Sequence, residues 1–296
     1  MNPLCQFAHR FPNIIAEFLE RDRHKTRNFR EETVTDMLMA ALIGLEPYGV
    51  KVDFPINEAL TGDDMDWEFV DLNPNSKGRY FRLHIQAKRA KEIKLKKSSY
   101  WVYNEIDHGL TFGNSPPANV KPNVKYYGAQ HYKLVNEAKK INNCAALYMF
   151  YNPKSSLTSN NCTVPSVDGI NWMFADLIKE NLNVTRWPVN DRKVETLRPH
   201  FQPLHKLLCF NNNGGKNFPR RPPPWLPRPD DITKLLNSQR EDSDDRIYSS
   251  EENIPHELME SIKNPNEYTR ELGRKTVTFI TDYRKWTKEP SFSTTP

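Results

Sequence analysis

The chain has 296 residues, 37% of them hydrophobic, a formal net charge of +5 and four cysteines, enough apolar material for one large domain or two small ones with a real core. No apolar run approaches the roughly 18 residues of a membrane span, and the opening MNPLCQFAHRFPN lacks the charged start and apolar centre of a signal peptide, so a soluble, cytoplasmic protein without a membrane partner is expected. Cys5, Cys144, Cys162 and Cys209 stand far apart without a CxxC or Cys/His cluster, which predicts reduced, mostly buried thiols and argues against structural zinc or a disulfide framework.

In chain order, REETVTDMLMAALIGLE carries Val34, Met37, Leu38, Ala41, Leu42 and Leu45 at helical spacing and predicts a helix with one apolar stripe. VKVDFPIN, DWEFVDL and YFRLHIQAKRA, separated by the turn sequences TGDD and NPNSKG, predict three short strands. A helix is expected at YYGAQHYKLVNEAKKI and a buried strand at CAALYMFYNP, and this strand-helix-strand crossover implies a sheet that is parallel or mixed and covered by helices. DGINWMFADLIKENL reads as an amphipathic helix, and LRPHFQPLHKLLCF as an apolar stretch interrupted by Pro199 and Pro203. FPRRPPPWLPRP is an extended basic polyproline-like run that suits a protein partner or a surface crossing, YTRELGRKTVTFITDYRKW adds a helix or strand to the core, and KEPSFSTTP is a frayed tail. Together these give an α/β protein, with residues 1–183 forming one domain and residues 184–296 an irregular Pro-rich extension that packs on or flanks it.

Charge is unevenly spread. Residues 79–100 carry eight Lys or Arg against the single acid Glu92, and residues 185–229 carry nine against two. Such blocks suit a polyanion such as nucleic acid, with a solvated face as the plainer reading. Residues 230–260 reverse the sign, with ten acids against three bases, and read as a mobile linker or a flap folded over a basic surface.

The strand YFRLHIQAK alternates apolar Phe81, Leu83 and Ile85 with Arg82, His84 and Gln86, so Gln86 and Lys88 end its polar face side by side. A hairpin with DWEFVDL brings Asp66 near this pair. A carboxylate and an amide oxygen are hard ligands for magnesium, and the ammonium beside them suits a phosphoryl transition state.

GDDMDWEFV followed by LHIQAKR resembles the PD-(D/E)xK restriction endonuclease-like superfamily, closest to its Mrr-like branch, over residues 28–152. The resemblance implies a restriction endonuclease-like αβββαβ core with a mixed sheet flanked by helices. It further implies a Mg2+- or Mn2+-dependent endonuclease, with DNA as the expected substrate and a homodimer as the means of cutting both strands. Asp66, Gln86 and the Ala87 carbonyl would bind metal, Lys88 would assist catalysis, and a glutamate of the first helix would complete the set. Glu31 falls within that helix's apolar stripe, an odd place for a carboxylate unless it faces a site, and is preferred to Glu32 at the stripe's edge. Gln86 replaces the commoner acid and removes one negative charge. EETVTD, TGDDMDWEF, QAKR and ALYMFYN also resemble a bacterial group of such proteins discussed with antiviral defence, which implies that role by analogy.

Arg89, Lys91, Lys94, Lys96 and Lys97, following the strand, are the expected contacts to the nucleic-acid backbone. Glu68 is either an outward strand residue or a second metal carboxylate, and Gln130 either orients a site ligand or lies on a helix surface. Asp63 and Asp64 read as turn formers and His84 as a packed or solvent-facing histidine, while Tyr126, Tyr127 and Tyr132 suit packing or base stacking. Two other classes stand beside the nuclease: a catalytically silent nuclease fold that binds nucleic acid as a sensor, and a protein-interaction module.

Overall fold

The computed structural model describes residues 2–23, 29–55, 64–112, 117, 120–157, 167–178, 182–210, 226–240, 247–265, 268 and 270–282. Two helices come first, α1 (Pro3–Asp22) and α2 (Glu31–Ile43), followed by strands β1 (Val50–Asp53), β2 (Asp64–Asp71) and β3 (Tyr80–Arg89). Two small hairpins follow, β4 (Lys91–Lys94) with β5 (Ser99–Val102), and β6 (Leu110–Thr111) with β7 (Lys125–Tyr126). Next come α3 (Ala129–Lys139), β8 (Cys144–Tyr151), the short α4 (Lys154–Leu157) and β9 (Ile170–Phe174). The last part holds α5 (Val194–Leu197), β10 (Gln202–Pro203), α6 (Leu204–Leu208), α7 (Pro229–Ser238), α8 (His256–Lys263) and β11 (Lys275–Thr281).

Seven strands form one mixed sheet in the order β1-β11-β2-β3-β8-β9-β10. The β3-α3-β8 crossover makes β3 and β8 parallel, as the sequence implies, while β2 and β3 form an antiparallel pair. The order helix, three strands, helix, strand is present as α2, β1, β2, β3, α3, β8, but β11 lies between β1 and β2, antiparallel to the first and parallel to the second. Residues beyond 184 thus supply both β10 and β11 to this sheet.

Alternation along the strands divides the core. Trp67, Phe69, Leu83, Ile85, Leu147 and Met149 share one buried cluster with Leu4, Ile15 and Leu19 of α1, Val34, Leu38 and Leu42 of α2, and Ile232 and Leu236 of α7. On the other face, Ala146, Tyr148, Phe150 and Met173 pack with Leu134, Val135 and Ala138 of α3. With helices on both faces, β8 is buried at every position and reads as a continuous apolar run.

Three expectations change here. Within 168–182, of which residues 179–181 lie outside the described part, Ile170–Phe174 form a strand: INWMF is buried throughout and pairs antiparallel with β8, because Ile, Trp and Phe fill both faces of a central strand better than one face of a helix. Cys5 and Cys209 are joined by a disulfide across a Cα–Cα distance of 4.9 Å, since α1 and α6 pack together although 204 residues separate the two positions. Cys144 is buried and outside the disulfide, and Cys162 lies outside the described residues. The acidic segment is not simply a linker: α7 docks through Ile232 and Leu236, Tyr248 is buried, and Glu251 bridges to Tyr80. Its residues 241–246 lie outside the described part, as do residues 211–225, most of the polyproline-like run, and the tail.

Helix α1 was not anticipated. Its Asn2 side chain accepts a hydrogen bond from the Cys5 N–H at 2.6 Å, Pro3 starts the helix, and Leu4, Ala8, Phe11, Ile15 and Leu19 form its buried stripe. The helix crosses the start of β9 at Gly169, where a Cβ atom would stand 1.8 Å from the Pro12 carbonyl oxygen. No described helix is long and apolar enough to cross a membrane.

Candidate functional site

The polar side chains of β3 emerge on the α3 face of the sheet. Lys88, only 1% exposed, directs its Nζ to Glu31 Oε1 at 3.5 Å and to Gln130 Oε1 at 3.4 Å. A buried ammonium is tolerable only with such partners. Glu31 sits in the first turn of α2 at the end of the sheet, and its Oε2 also accepts the Arg89 main-chain N–H at 3.1 Å. Gln130 lies in the first turn of α3, beside His131, whose Nδ1 is 3.0 Å from the Tyr148 hydroxyl. Tyr148 is the register neighbour of Gln86, and both are fully buried. Glu31, Lys88 and Gln130 therefore meet at one end of the sheet, with Gln86 two residues before Lys88 on the same face of β3. His131 and Tyr148 were missed, because a histidine inside a helix and a tyrosine inside an apolar strand carry no local signal of a site.

Asp66 is placed differently from the expectation. The β2-β3 register sets Asp66 opposite His84 and puts Asp64 opposite Gln86, because β2 begins at Asp64 and not at the end of the turn. Asp66 Oδ1 is 2.5 Å from His84 Nδ1 and 3.5 Å from Arg274, which also reaches Glu137 of α3 at 2.6 Å. Burial works against the Asp66 carboxylate, but the His84 hydrogen bond and charge, then Arg274 and Arg82, outweigh it and hold the carboxyl below its usual range. Burial alone would likewise lower the His84 pKa, and the hydrogen bond to the Asp66 carboxylate, joined by Cys144, reverses this and pushes it up to about 9. His84 is thus a packed partner of a carboxylate, with Arg274 also 2.9 Å from its Nδ1.

Farther along the same face, Glu68 is 1% exposed and fully engaged. It receives Arg270 at 2.7 and 3.1 Å, the Tyr80 hydroxyl at 3.0 Å and Thr278 at 3.3 Å, with Arg82 at 3.6 Å. Of the remaining site candidates, Ala87 has its side chain in the apolar core and pairs in register with Met149. Glu32 stands at the surface beside Arg30, 3.9 Å away.

The basic residues separate into two kinds. Arg89 is buried and bound to Asp22 at 2.7 Å and to the Phe29 carbonyl, so it braces α1 and is not a surface contact. Lys91, Lys94, Lys96 and Lys97 are exposed on the β4-β5 hairpin. Lys193, from the second basic stretch, stands over the Tyr100 ring at 5.0 Å and pairs through a bridge with Val102, so the two basic stretches meet at this hairpin.

As a donor set, the Glu31 carboxylate and the Gln86 amide oxygen fit a hard divalent cation. No curated protein and no solved structure matches the chain. The match that exists runs from α1 through β11: residues 4–285 fit the family described as "Family of unknown function (DUF6615)", and the chain belongs to that family.

Proposed function

We propose that the protein is a divalent-metal-dependent phosphodiester hydrolase acting on nucleic acid, with DNA as the substrate favoured by its resemblance to restriction endonuclease-like proteins and antiviral defence as the setting. The observation that carries this reading is the buried Lys88 ammonium between Glu31 and Gln130, two residues beyond Gln86 on one strand. Hydrophobic cores gain nothing from such a group, so a charge this well housed points to use. Glu31 and Gln86 would hold Mg2+ or Mn2+, which when bound supplies a polarised phosphoryl group and a more acidic water. Lys88 would orient the attacking water and offset the charge that develops on the phosphoryl oxygens. Glu31 and Gln130 keep that ammonium in place, and the lysines of the β4-β5 hairpin hold the flanking backbone.

In the β2-β3 register position 64 stands opposite Gln86, whereas Asp66 would have to leave His84 and Arg274 to bind a metal. The test is cleavage of plasmid and single-stranded DNA with Mg2+ or Mn2+. Wild type cuts, Lys88→Ala and Asp64→Asn lose at least about 100-fold in rate, consistent with loss of a charge-stabilising group, and both keep cooperative unfolding. If Asp66→Asn abolishes cleavage while Asp64→Asn does not, the register argument fails.

A second reading, a nucleic-acid-binding protein without catalysis, draws on the neutral Gln86 and on the engagement of Asp66 by His84 and Arg274. It predicts metal-independent binding and no cleavage by wild type under either metal.

A further inference from the structure

A second group of chemistry-bearing side chains lies on another part of the molecule, where α1 meets α6. Cys5 and His9 are separated by three residues in CQFAH, and His205 and Cys209 by three in HKLLC, a mirrored pair of spacings. In a helix, residues four apart share a face, so each pair projects one sulfur and one imidazole in the same direction. Cys5 and His9 belong to α1, and the Cys209 N–H closes the turn on the His205 carbonyl at 2.7 Å. The ligand atoms of Cys5, His9 and Cys209 all lie within 4.8 Å of one another. The His205 ring stacks on that of His9, with centroids 4.4 Å apart and planes 18° apart. Among the described residues no hydrogen bond engages either imidazole.

A disulfide needs only the two sulfurs and leaves the imidazoles unexplained. Two thiolates and two imidazoles are instead the donor set of a closed tetrahedral site, in which bonds of about 2.0–2.3 Å place ligand atoms within roughly 4 Å of each other. The spread among Cys5, His9 and Cys209 requires only small side-chain rotations to reach that, and His205 must swing off its stacking neighbour. His9 is exposed, which gives an ion a way in. Asp168, next to Gly169 where α1 crosses β9, lies close enough to both imidazoles to interact with their charge and can brace them from outside.

We propose that in the reduced chain Cys5, His9, His205 and Cys209 bind one divalent transition metal of the zinc class, and that this site and the Cys5–Cys209 disulfide are alternative ways of pinning α1 to α6. The interconversion balances. A phosphine reductant takes the oxygen of one water as it opens the disulfide, giving a phosphine oxide and two thiols, and binding of the ion then releases both thiol protons to solvent.

The test is anaerobic titration of the phosphine-reduced full chain with Co2+, followed by displacement with Zn2+. One cobalt per chain is expected, with thiolate-to-cobalt charge transfer and tetrahedral d–d bands. The oxidised chain should show neither, and reduction should restore both. His9→Ala and His205→Ala should each weaken cobalt binding by more than about 100-fold, beyond what loss of an outer-sphere partner costs, while both still form the disulfide on oxidation. Absence of the tetrahedral spectrum in the reduced wild type overturns the proposal without recourse to any variant. Histidine variants that bind cobalt as tightly as the wild type also overturn it, since the thiolates alone would then account for binding. Retention of full affinity by His205→Ala alone rejects the four-ligand site.

Discussion

Replacing Arg270 tests how far the C-terminal strand depends on a buried carboxylate. Glu68 is 1% exposed, and Arg270 supplies its two closest charged contacts, at 2.7 and 3.1 Å. In Arg270→Met, Glu68 keeps the Tyr80 and Thr278 hydroxyls but only one cation, Arg82 at 3.6 Å. Breaking a buried pair from one side costs about 3–5 kcal/mol, and the surviving Arg82 places this case near the lower figure. At about 2–4 °C per kcal/mol for a chain of this size class, Tm should fall by roughly 6–12 °C. The double variant Glu68→Gln/Arg270→Met should recover more than half of that loss, because the stranded charge is then gone. Calorimetry and circular dichroism give the Tm values, and hydrogen exchange should quicken in β11, the strand that follows Arg270 and pairs with β2 along Glu68. A fall below about 2 °C in the single variant, a small fraction of the cost expected for a buried ion pair, would refute this account, as would a double variant less stable than both singles.

His84 should make stability fall at alkaline pH: its folded pKa of about 9 lies above the ordinary 6.5, so its contribution is complete below 6.5 and lost as pH rises through 9. The gap of about 2.5 units corresponds to about 3 kcal/mol at most, and urea unfolding at both ends of the window should show this slope in wild type and not in His84→Gln. Asp66 acts in the opposite sense: its depressed pKa contributes stability above the ordinary 3.8, and acid removes it as pH falls through the folded value. Joint replacement of Lys94, Lys96 and Lys97 by Ala should weaken DNA binding for all sequences alike and flatten the slope of log affinity against log salt by up to about three units, at about 0.9 per phosphate contact; an unchanged slope would mark the hairpin as a solvated face. Gly169→Ala should destabilise the chain and loosen α1, since its Cβ would meet the Pro12 carbonyl oxygen at 1.8 Å, and limited proteolysis that leaves the α1 boundary as protected as in wild type would contradict this.

The elements that the sequence revealed are those with a clean local period. Helices α2 and α3 and strands β2, β3 and β8 follow from apolar spacing and from the turns between them, and β3 displays Gln86 and Lys88 as its alternation requires. What was hidden is what depends on distant chain. The place of β11 between β1 and β2 is decided by pairing with residues some two hundred positions away, which no local pattern encodes. The register of β2 on β3 differs by two residues from a hairpin that starts at Asp66, because Asp64 already pairs. The same limit explains the cysteines: helical spacing of Cys5 with His9 and of His205 with Cys209 is visible in the sequence, but only the packing of α1 against α6 joins the pairs. Helix α1 is an omission with a readable signal, in its Asn-Pro start and its apolar residues three and four apart.

The inserted strand also bears on the chemistry. Along the polar face of β2 and β3 the successive cross-strand pairs are Glu68 with Arg82, Asp66 with His84, and position 64 with Gln86. Arg270 binds the first of these and Arg274 the second, both from the segment that leads into β11. The cationic supply from that segment therefore reaches Glu68 and Asp66, while the far end of the row is met from elsewhere, by Glu31 of α2 and Gln130 of α3 around Lys88. A carboxylate already held by an arginine and a histidine is a poor ligand for a further cation, because binding must first displace partners that the interior has desolvated at high cost. By this reasoning one row of polar residues divides into a braced portion, where acids fasten the C-terminal strand to the sheet, and the end proposed to be reactive, where Lys88 meets residues delivered by two helix N-termini.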